Sequence, residues 1–481
     1  MYFNQANTIF MTHIPAIVET DIEALFRLQK KNLSNIAATS SKERIVKIKK
    51  VMQWVLDNQE RIAEALGADY QKNLFEVKVS EVMPVVSEAK FIIKHLDKWM
   101  RAESVETPLK MLGTTSKIVH EPKGNCLIMS PWNYPFNLTL KPLLQALAAG
   151  NAVIIKPSEI VVNASILLVE MINELFPRNE VAVVEGDARI ATTLLDLPFN
   201  HIFFTGSPAI GKIVMQAASK HLASVTLELG GKSPTIVDET ADTKFAAQTI
   251  AAEKFLNNGQ TCIAPDYILI HRSKTRQFIE EMGNYIQKMY GNDVSQSPDY
   301  CRIVNEKHFS RIKGLIDDAL VKGAKIAIGG DTNLTENFIE PTVVSHVTNE
   351  MRIMQDEIFG PVLPIVEFNH LEEVSDYINA GEKPLALYMF SKKRSHIDYI
   401  IQNTSSGAVV INETTIHYLQ NNLPFGGVNN SGIGKSFGKY GFEEFSNKKA
   451  VVENKFSTFN MFHPPASKRV MKMLDMVIKW L

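Results

Sequence analysis

Five short apolar runs punctuate the first half of the chain: NCLIMS (125–130), NAVIIK (151–156), VAVVEG (181–186), HIFFTG (201–206) and SVTLEL (224–229). An apolar run without alternation belongs to a strand covered on both faces, and such strands are characteristic of parallel sheets flanked by helices. Most of the intervals leave room for a helix. One of them, NLTLKPLLQALAAG (137–150), has helical spacing and ends on Gly150, which suits a helix C-terminus. Buried strands alternating with helices predict a doubly wound parallel sheet, whose ligands gather beyond the carboxyl ends of the strands. After Glu228 a second series begins, PTIVD, YILIH, AKIAIGG, FGPVLPIVEF, LALYMFS and GAVVIN, with the helix SKTRQFIEEMGNYIQKMY inside it. Residues 18–66 and 85–100 read mostly as helix. The expected fold is therefore α/β, with two doubly wound α/β domains, and 481 residues are too many for one core.

Charge excludes some partners. With 51 basic and 52 acidic residues there is no general electrostatic attraction to nucleic acid or to an anionic membrane. No run reaches the roughly 18 apolar residues of a membrane helix. The N-terminal segment lacks the pattern of a secretory signal, and Met11 is an alternative start to Met1. Cys126, Cys262 and Cys301 are odd in number and widely spaced, which suits a reducing compartment and hence the cytoplasm. Scattered histidines give no support for a metal site.

Several strand ends carry unusual chemistry. In NNGQTCIAPDY (257–267) Cys262 follows five small or polar residues, a setting that reads as a polar loop presenting a thiol rather than packing it. PWNYP (131–135) fixes Asn133 between two prolines, as an oxyanion donor or as a local turn cap. KPSE (156–159) puts Lys156 and Glu159 where ribose hydroxyls could bond them, or where they are merely solvated. In FTGSPAIGKIV (204–214), Gly206, the cap Ser207 and Pro208 open a helix able to face a phosphate, or an ordinary strand–helix loop. LELGGKSP (227–234) sets Glu228 beside a double glycine at a domain boundary, as a general base or as a hinge carboxylate.

These segments, together with EIFGPV (357–362) and LPFGGVNNSGIG (423–434), stand in the order and spacing of the aldehyde dehydrogenase superfamily. The resemblance runs from about Val51 to Val452, and the TCIAPDYIL tail of the cysteine motif is most similar to the class 3 branch of fatty and aromatic aldehyde enzymes. It implies a Rossmann-like cofactor domain (1–107 and 124–226), a catalytic domain (227–408), bridging or oligomerisation segments (108–123 and 409–450) and a homodimer. It further implies a nucleophile at Cys262, an oxyanion donor at Asn133 and a base at Glu228, with Glu357 as the rival base or as a partner of the nicotinamide ribose. Phe359 would pack near the nicotinamide, Lys156 and Glu159 would hold the adenosine ribose, and Gly206 and Ser207 would lie by the pyrophosphate. The cofactor is NAD or NADP, and the product a free acid rather than an acyl-coenzyme A. Trp132, Tyr134 and Tyr418 are expected to line an apolar entrance for medium or long aliphatic or aromatic aldehydes. A cysteine hydrolase is the main rival, though no sequence feature sets a histidine beside Cys262; an inactive binding protein is the other.

The tail, residues 455–481, gathers Val470, Met471, Leu474, Val477, Ile478 and Leu481 on one face of a helix with Lys468, Arg469, Lys472 and Lys479 around it. At about 14 residues it is too short to span a bilayer. Docking on the protein or its dimer partner is the general expectation for such a helix, and weak contact with a membrane surface is the alternative.

Overall fold

A computed structural model describes residues 19–108, 111–456 and 463–480. Both alternative starts, Met1 and Met11, and the terminal Leu481 lie outside these residues. The first sheet has six strands in the order Gly432–Ile433, Ser224–Leu229, His201–Gly206, Asn125–Met129, Ala152–Lys156 and Val181–Val183. All five apolar runs form strands, and all five pair in parallel. Asn125–Met129 and Ala152–Lys156 are buried along their whole length, as continuous apolar runs require. The helix Asn137–Ala149 covers this sheet and ends at Gly150 with φ 86°. Only glycine suits that position, because a Cβ would come within 2.5 Å of the Arg44 guanidinium. Arg44 there donates to the Ala148 carbonyl at 3.0 Å.

The second sheet has seven strands in the order Lys325–Ile328, Thr342–Ser345, Val362–Phe368, Tyr267–His271, Pro234–Val237, Ala386–Phe390 and Ala408–Ile411. Six of them are parallel, and Lys325–Ile328 closes one edge antiparallel to Thr342–Ser345, a strand absent from the expected series. The first sheet also has an antiparallel edge: Gly432–Ile433 pairs with Ser224–Leu229. This return of the glycine-rich 423–434 segment brings late residues against Glu228. A third, antiparallel sheet joins Thr114–Pro122 to Ser446–Asn454 over nine residue pairs, with Glu103–Val105 on its other side.

The tail forms the helix Lys468–Trp480, in which Val470 and Leu474 are half-buried but Met471, Val477 and Ile478 remain exposed, so the described residues cover its apolar face only in part. Among the described residues no helix is long and apolar enough to cross a membrane.

Candidate active site

The helix Thr243–Phe255 stops where Asn257, Asn258 and Gly259 turn left-handed, at φ 51°, 57° and 69°. Asparagine tolerates this backbone better than most residues. The segment that reads as an open polar loop is in fact interior. Asn257, Asn258 and Gln260 are fully buried. Burial of polar groups is costly unless they are bonded, and here each amide nitrogen donates, while the Oδ1 atoms of Asn257 and Asn258 have no partner among the described residues. Asn258 Nδ2 donates to the Cys301 carbonyl at 2.8 Å, and Gln260 Nε2 to that of Arg302 at 3.1 Å. Val304 N–H donates to Gln260 Oε1 at 3.0 Å. Only Cys262, at the end of this framework, is left half-buried, whereas Cys126 and Cys301 are core.

The PWNYP turn leaves the central strand Asn125–Met129 and is bonded to the cysteine loop. Asn133 Nδ2 donates to the Gln260 carbonyl at 2.9 Å, and the Asn133 carbonyl accepts from Asn257 Nδ2 at 3.0 Å and Tyr70 Oη at 3.1 Å. Tyr134 Oη and Thr261 Oγ1 share a hydrogen bond of 2.5 Å. Tyr134, Tyr418, Leu138, Leu256 and Ile263 line a cavity of about 150 Å³ that opens on Cys262. Trp132 lies apart from that lining, its ring 5.4 Å from Phe359 and 4.8 Å from His308.

Glu228 lies near the carboxyl end of Ser224–Leu229, only 7% exposed, and neither of its oxygens has a hydrogen-bond partner among the described residues. It lines the same small apolar cavity as Cys262, Phe425 and Phe437. Burial holds its carboxyl well above the usual carboxylate range, opposed by the charges of Lys435 and Lys141. Burial, reinforced by the charges of Glu357 and Glu228, pushes the Cys262 thiol up to about 12. Lys141, which also lines this cavity, went unnoticed in the sequence. Its Nζ sits 3.1 Å from the Phe437 ring centroid and 4.2 Å from that of Tyr418, and burial brings its pKa down to about 7. The only signal for it was a lysine inside an otherwise apolar helix.

Further candidate residues stand beyond the carboxyl ends of the strands on either side of the central one. Lys156 Nζ pairs with Glu159 Oε2 at 2.6 Å beyond one neighbour of the central strand. Ser207 caps the helix Pro208–Ser219 beyond the other, accepting from Ile210 N–H at 3.5 Å. A further cavity, of about 670 Å³, is lined by Pro208, Gly230, Gly231, Lys232 and Glu357. A Cβ on Gly230 would fall 2.1 Å from Glu357 Oε2. Glu357 accepts the Gly231 N–H, and burial with the nearby Asp266 raises its pKa to about 8. Arg311 holds the turn that carries it, donating to the carbonyls of Glu357 at 3.0 Å and Ile358 at 2.6 Å, and Asp266 accepts the Ile358 N–H at 3.0 Å. Phe359 is fixed there at φ 46°, a conformation that a bulky residue keeps only under such constraint. A paired lysine and carboxylate, a capped helix N-terminus and side-chain-free glycines at strand ends fit a dinucleotide.

Comparison with known proteins agrees with this geometry. A model of the aldehyde dehydrogenase family matches residues 2–451. The 4,4'-diaponeurosporen-aldehyde dehydrogenase of Staphylococcus aureus (strain NCTC 8325 / PS 47) is 42% identical over 432 residues, 90% of this chain and 94% of that protein. The dimeric, NADP-preferring aldehyde dehydrogenase of Rattus norvegicus is 44% identical over 409 residues, 85% of this chain and 89% of its own. Among solved structures, the substrate-bound state of Staphylococcus aureus AldH superposes with a TM-score of 0.91 at 41% identity, covering 95% of this chain and 99% of that one.

Proposed function

The chain belongs to the aldehyde dehydrogenase family, an enzyme family that oxidises aldehydes with NAD or NADP, and from that premise we propose a division of labour among its residues. Cys262 is the nucleophile and Glu228 the general base. The observation that carries this assignment is a small apolar cavity lined by both, in which the Glu228 oxygens have no partner among the described residues.

In the first half-reaction the Cys262 thiol gives its proton to water and its sulfur bonds to the aldehyde carbon. The carbonyl electrons move onto oxygen, where Asn133 Nδ2–H and the Cys262 N–H are the donors. Asn133 is free to do this by exchanging its bond to the Gln260 carbonyl for one to the oxyanion. One such donor contributes roughly 3–4 kcal/mol to the barrier. The cofactor, held by Lys156, Glu159, Gly206, Ser207 and Glu357, would supply the acceptor for the hydride that leaves the aldehyde carbon, so that Cys262 is left as a thioester. Glu228 then withdraws a proton from water as the water oxygen attacks the thioester, and the sulfur departs with its electron pair to free the acid.

Glu357 is assigned to the nicotinamide ribose rather than to the base role, because its carboxylate is engaged by Gly231 N–H and lines the other cavity. Lys156 and Glu159 take the adenosine ribose, Gly206 and Ser207 the pyrophosphate, and Phe359 the neighbourhood of the nicotinamide. Residues 1–107 with 124–226 then form the cofactor domain and 227–408 the catalytic domain.

Medium or long aliphatic or aromatic aldehydes suit the apolar lining by Leu138, Leu256, Ile263, Tyr134 and Tyr418. The diaponeurosporen-aldehyde named for the staphylococcal relative supports that reading. The relative named dimeric supports a homodimer, with residues 108–123 and 409–450 as its pairing segments. A cytoplasmic enzyme suits the three free cysteines, and the exposed apolar face of the tail helix suits peripheral membrane contact.

The test is the absorbance of reduced nicotinamide with a panel of aldehydes and either cofactor. Wild type is expected to oxidise decanal faster than glyceraldehyde, and Cys262→Ala to lose the reaction; equal rates for the two aldehydes would refute the apolar-substrate reading, and an active alanine variant would refute the nucleophile.

A further inference from the structure

Three buried charged residues lie outside the mechanism above. Lys72, Glu76 and Glu81 belong to one stretch, and each is at most 3% exposed. Lys72 Nζ donates to Glu81 Oε1 at 3.2 Å, with both side chains wholly buried. Two carboxylates and one ammonium out of water cost several kcal/mol unless every oxygen is well bonded. Their remaining bonds all run to the two loops of the site. Glu81 Oε2 accepts the N–H of Asn137, which opens the helix behind PWNYP, at 2.8 Å. Glu76 Oε1 accepts the N–H of Asn257, the first left-handed residue of the cysteine loop. Asn257 Nδ2 in turn bridges the carbonyls of Asn133 at 3.0 Å and Gln260 at 3.1 Å. The Lys72 ammonium lies 4.1 Å from the ring centroid of Tyr134. The backbone that carries Glu81 forms a π-helical turn, Lys78–Val82, a rare geometry found often at functional sites. Val79 and Ser80 on that turn line the cavity that opens on Cys262.

We propose that Glu76 is a positioning residue: by holding the Asn257 N–H it fixes the left-handed turn 257–259, and through Asn257 it fixes the Cys262 thiol relative to the Asn133 amide. The assignment rests on Cys262 as nucleophile. Glu76 touches neither cavity, so its effect falls on the reacting geometry and not on aldehyde binding. Misplacing reacting groups by about 1 Å can cost on the order of 100-fold in rate.

The experiment compares wild type, Glu76→Leu and Glu76→Gln by the rate of iodoacetamide alkylation at Cys262 and by kcat and KM for decanal, with thermal melts to confirm folding. Cys126 and Cys301 are buried, so early alkylation reports Cys262. Glu76→Leu is expected to lower kcat at least about tenfold, leave KM within about twofold and change the alkylation rate at least about fivefold. Glu76→Gln keeps an acceptor oxygen and is expected to restore both rates to within about threefold of wild type. A folded Glu76→Leu enzyme with wild-type alkylation and kcat overturns the proposal, as does a glutamine variant as impaired as the leucine one. Should Glu76→Leu not fold, Asn257→Gly suits the same backbone and cuts the bridge to Asn133 and Gln260, and the same rates decide. Alkylation needs no aldehyde turnover, so failure of the dehydrogenase reading is seen separately.

Discussion

Glu228, buried, and Glu357, half-buried, are both carboxylates whose charges are felt by Cys262, yet they are held in opposite ways. Glu357 stands on a turn gripped by Arg311 and Asp266, accepts a backbone N–H, and fills the space that a side chain on Gly230 would need. The Glu228 carboxyl has no hydrogen bond among the described residues, and the charges that act on it, those of Lys435, Glu444 and Lys141, belong to other elements. A carboxylate fixed by donors is suited to holding a ligand in place. One left unpaired in an apolar cavity has a raised pKa and is ready to accept and release a proton. The contrast teaches that proximity to a nucleophile does not define a base; freedom from structural hydrogen bonds does.

The largest effect short of removing the nucleophile or the base concerns Asn133, the proposed oxyanion donor. Asn133→Ala should lower kcat by about 100- to 1,000-fold with KM for the aldehyde little changed. A loss below about fivefold in steady-state rate would leave the oxyanion to the backbone alone. Next, Glu357→Gln should raise KM for the cofactor about tenfold while kcat falls less, since a hydrogen bond to a charged group contributes about 1.5–3 kcal/mol. An unchanged cofactor KM would detach Glu357 from the ribose.

A smaller effect separates the two carboxylates by stability. The pKa of Glu357 is about 8 when folded against 4.5 in its ordinary state, so the native protein keeps a proton that the unfolded chain releases between those values. Stability from this group is therefore greatest below about pH 4.5 and declines as pH rises to about 8. Glu357→Gln should flatten part of the decline in melting temperature across that window, and a slope identical to wild type would contradict the shift. In the same way, the thiol at about 12 predicts that Cys262 alkylation in the free enzyme keeps rising with pH beyond 9; a plateau near neutrality would contradict it.

Much of this site was legible before any coordinates. The apolar runs gave the parallel strands because continuous burial leaves a composition signal, and Cys262 and Glu228 stood out as chemistry near glycine or proline, whereas Glu357 was singled out only by the family resemblance. What escaped was everything fixed by distant contacts. Asn257, Asn258 and Gln260 looked like solvent-facing residues because polarity is the usual mark of a loop, and their partners at Asn133, Cys301, Arg302 and Val304 lie far along the chain. Lys141, Glu76 and Glu81 sit in helical or π-helical segments and Lys72 in the short link before Leu74, places where a charge ordinarily faces water, and only the packed structure shows them buried. The two-residue strand Gly432–Ile433, which brings the glycine-rich segment against Glu228, is too short for any periodicity.

The most direct measurement of the central claim is a rapid-mix record of reduced nicotinamide in Glu228→Gln and Glu357→Gln enzymes. With a base lost only for thioester hydrolysis, Glu228→Gln should give a burst approaching one equivalent per Cys262, followed by turnover slowed about 100- to 10,000-fold, while Glu357→Gln should show no burst and continue to turn over. A burst with stalled turnover in Glu357→Gln, and near-normal turnover in Glu228→Gln, would transfer the base to Glu357 and contradict the account.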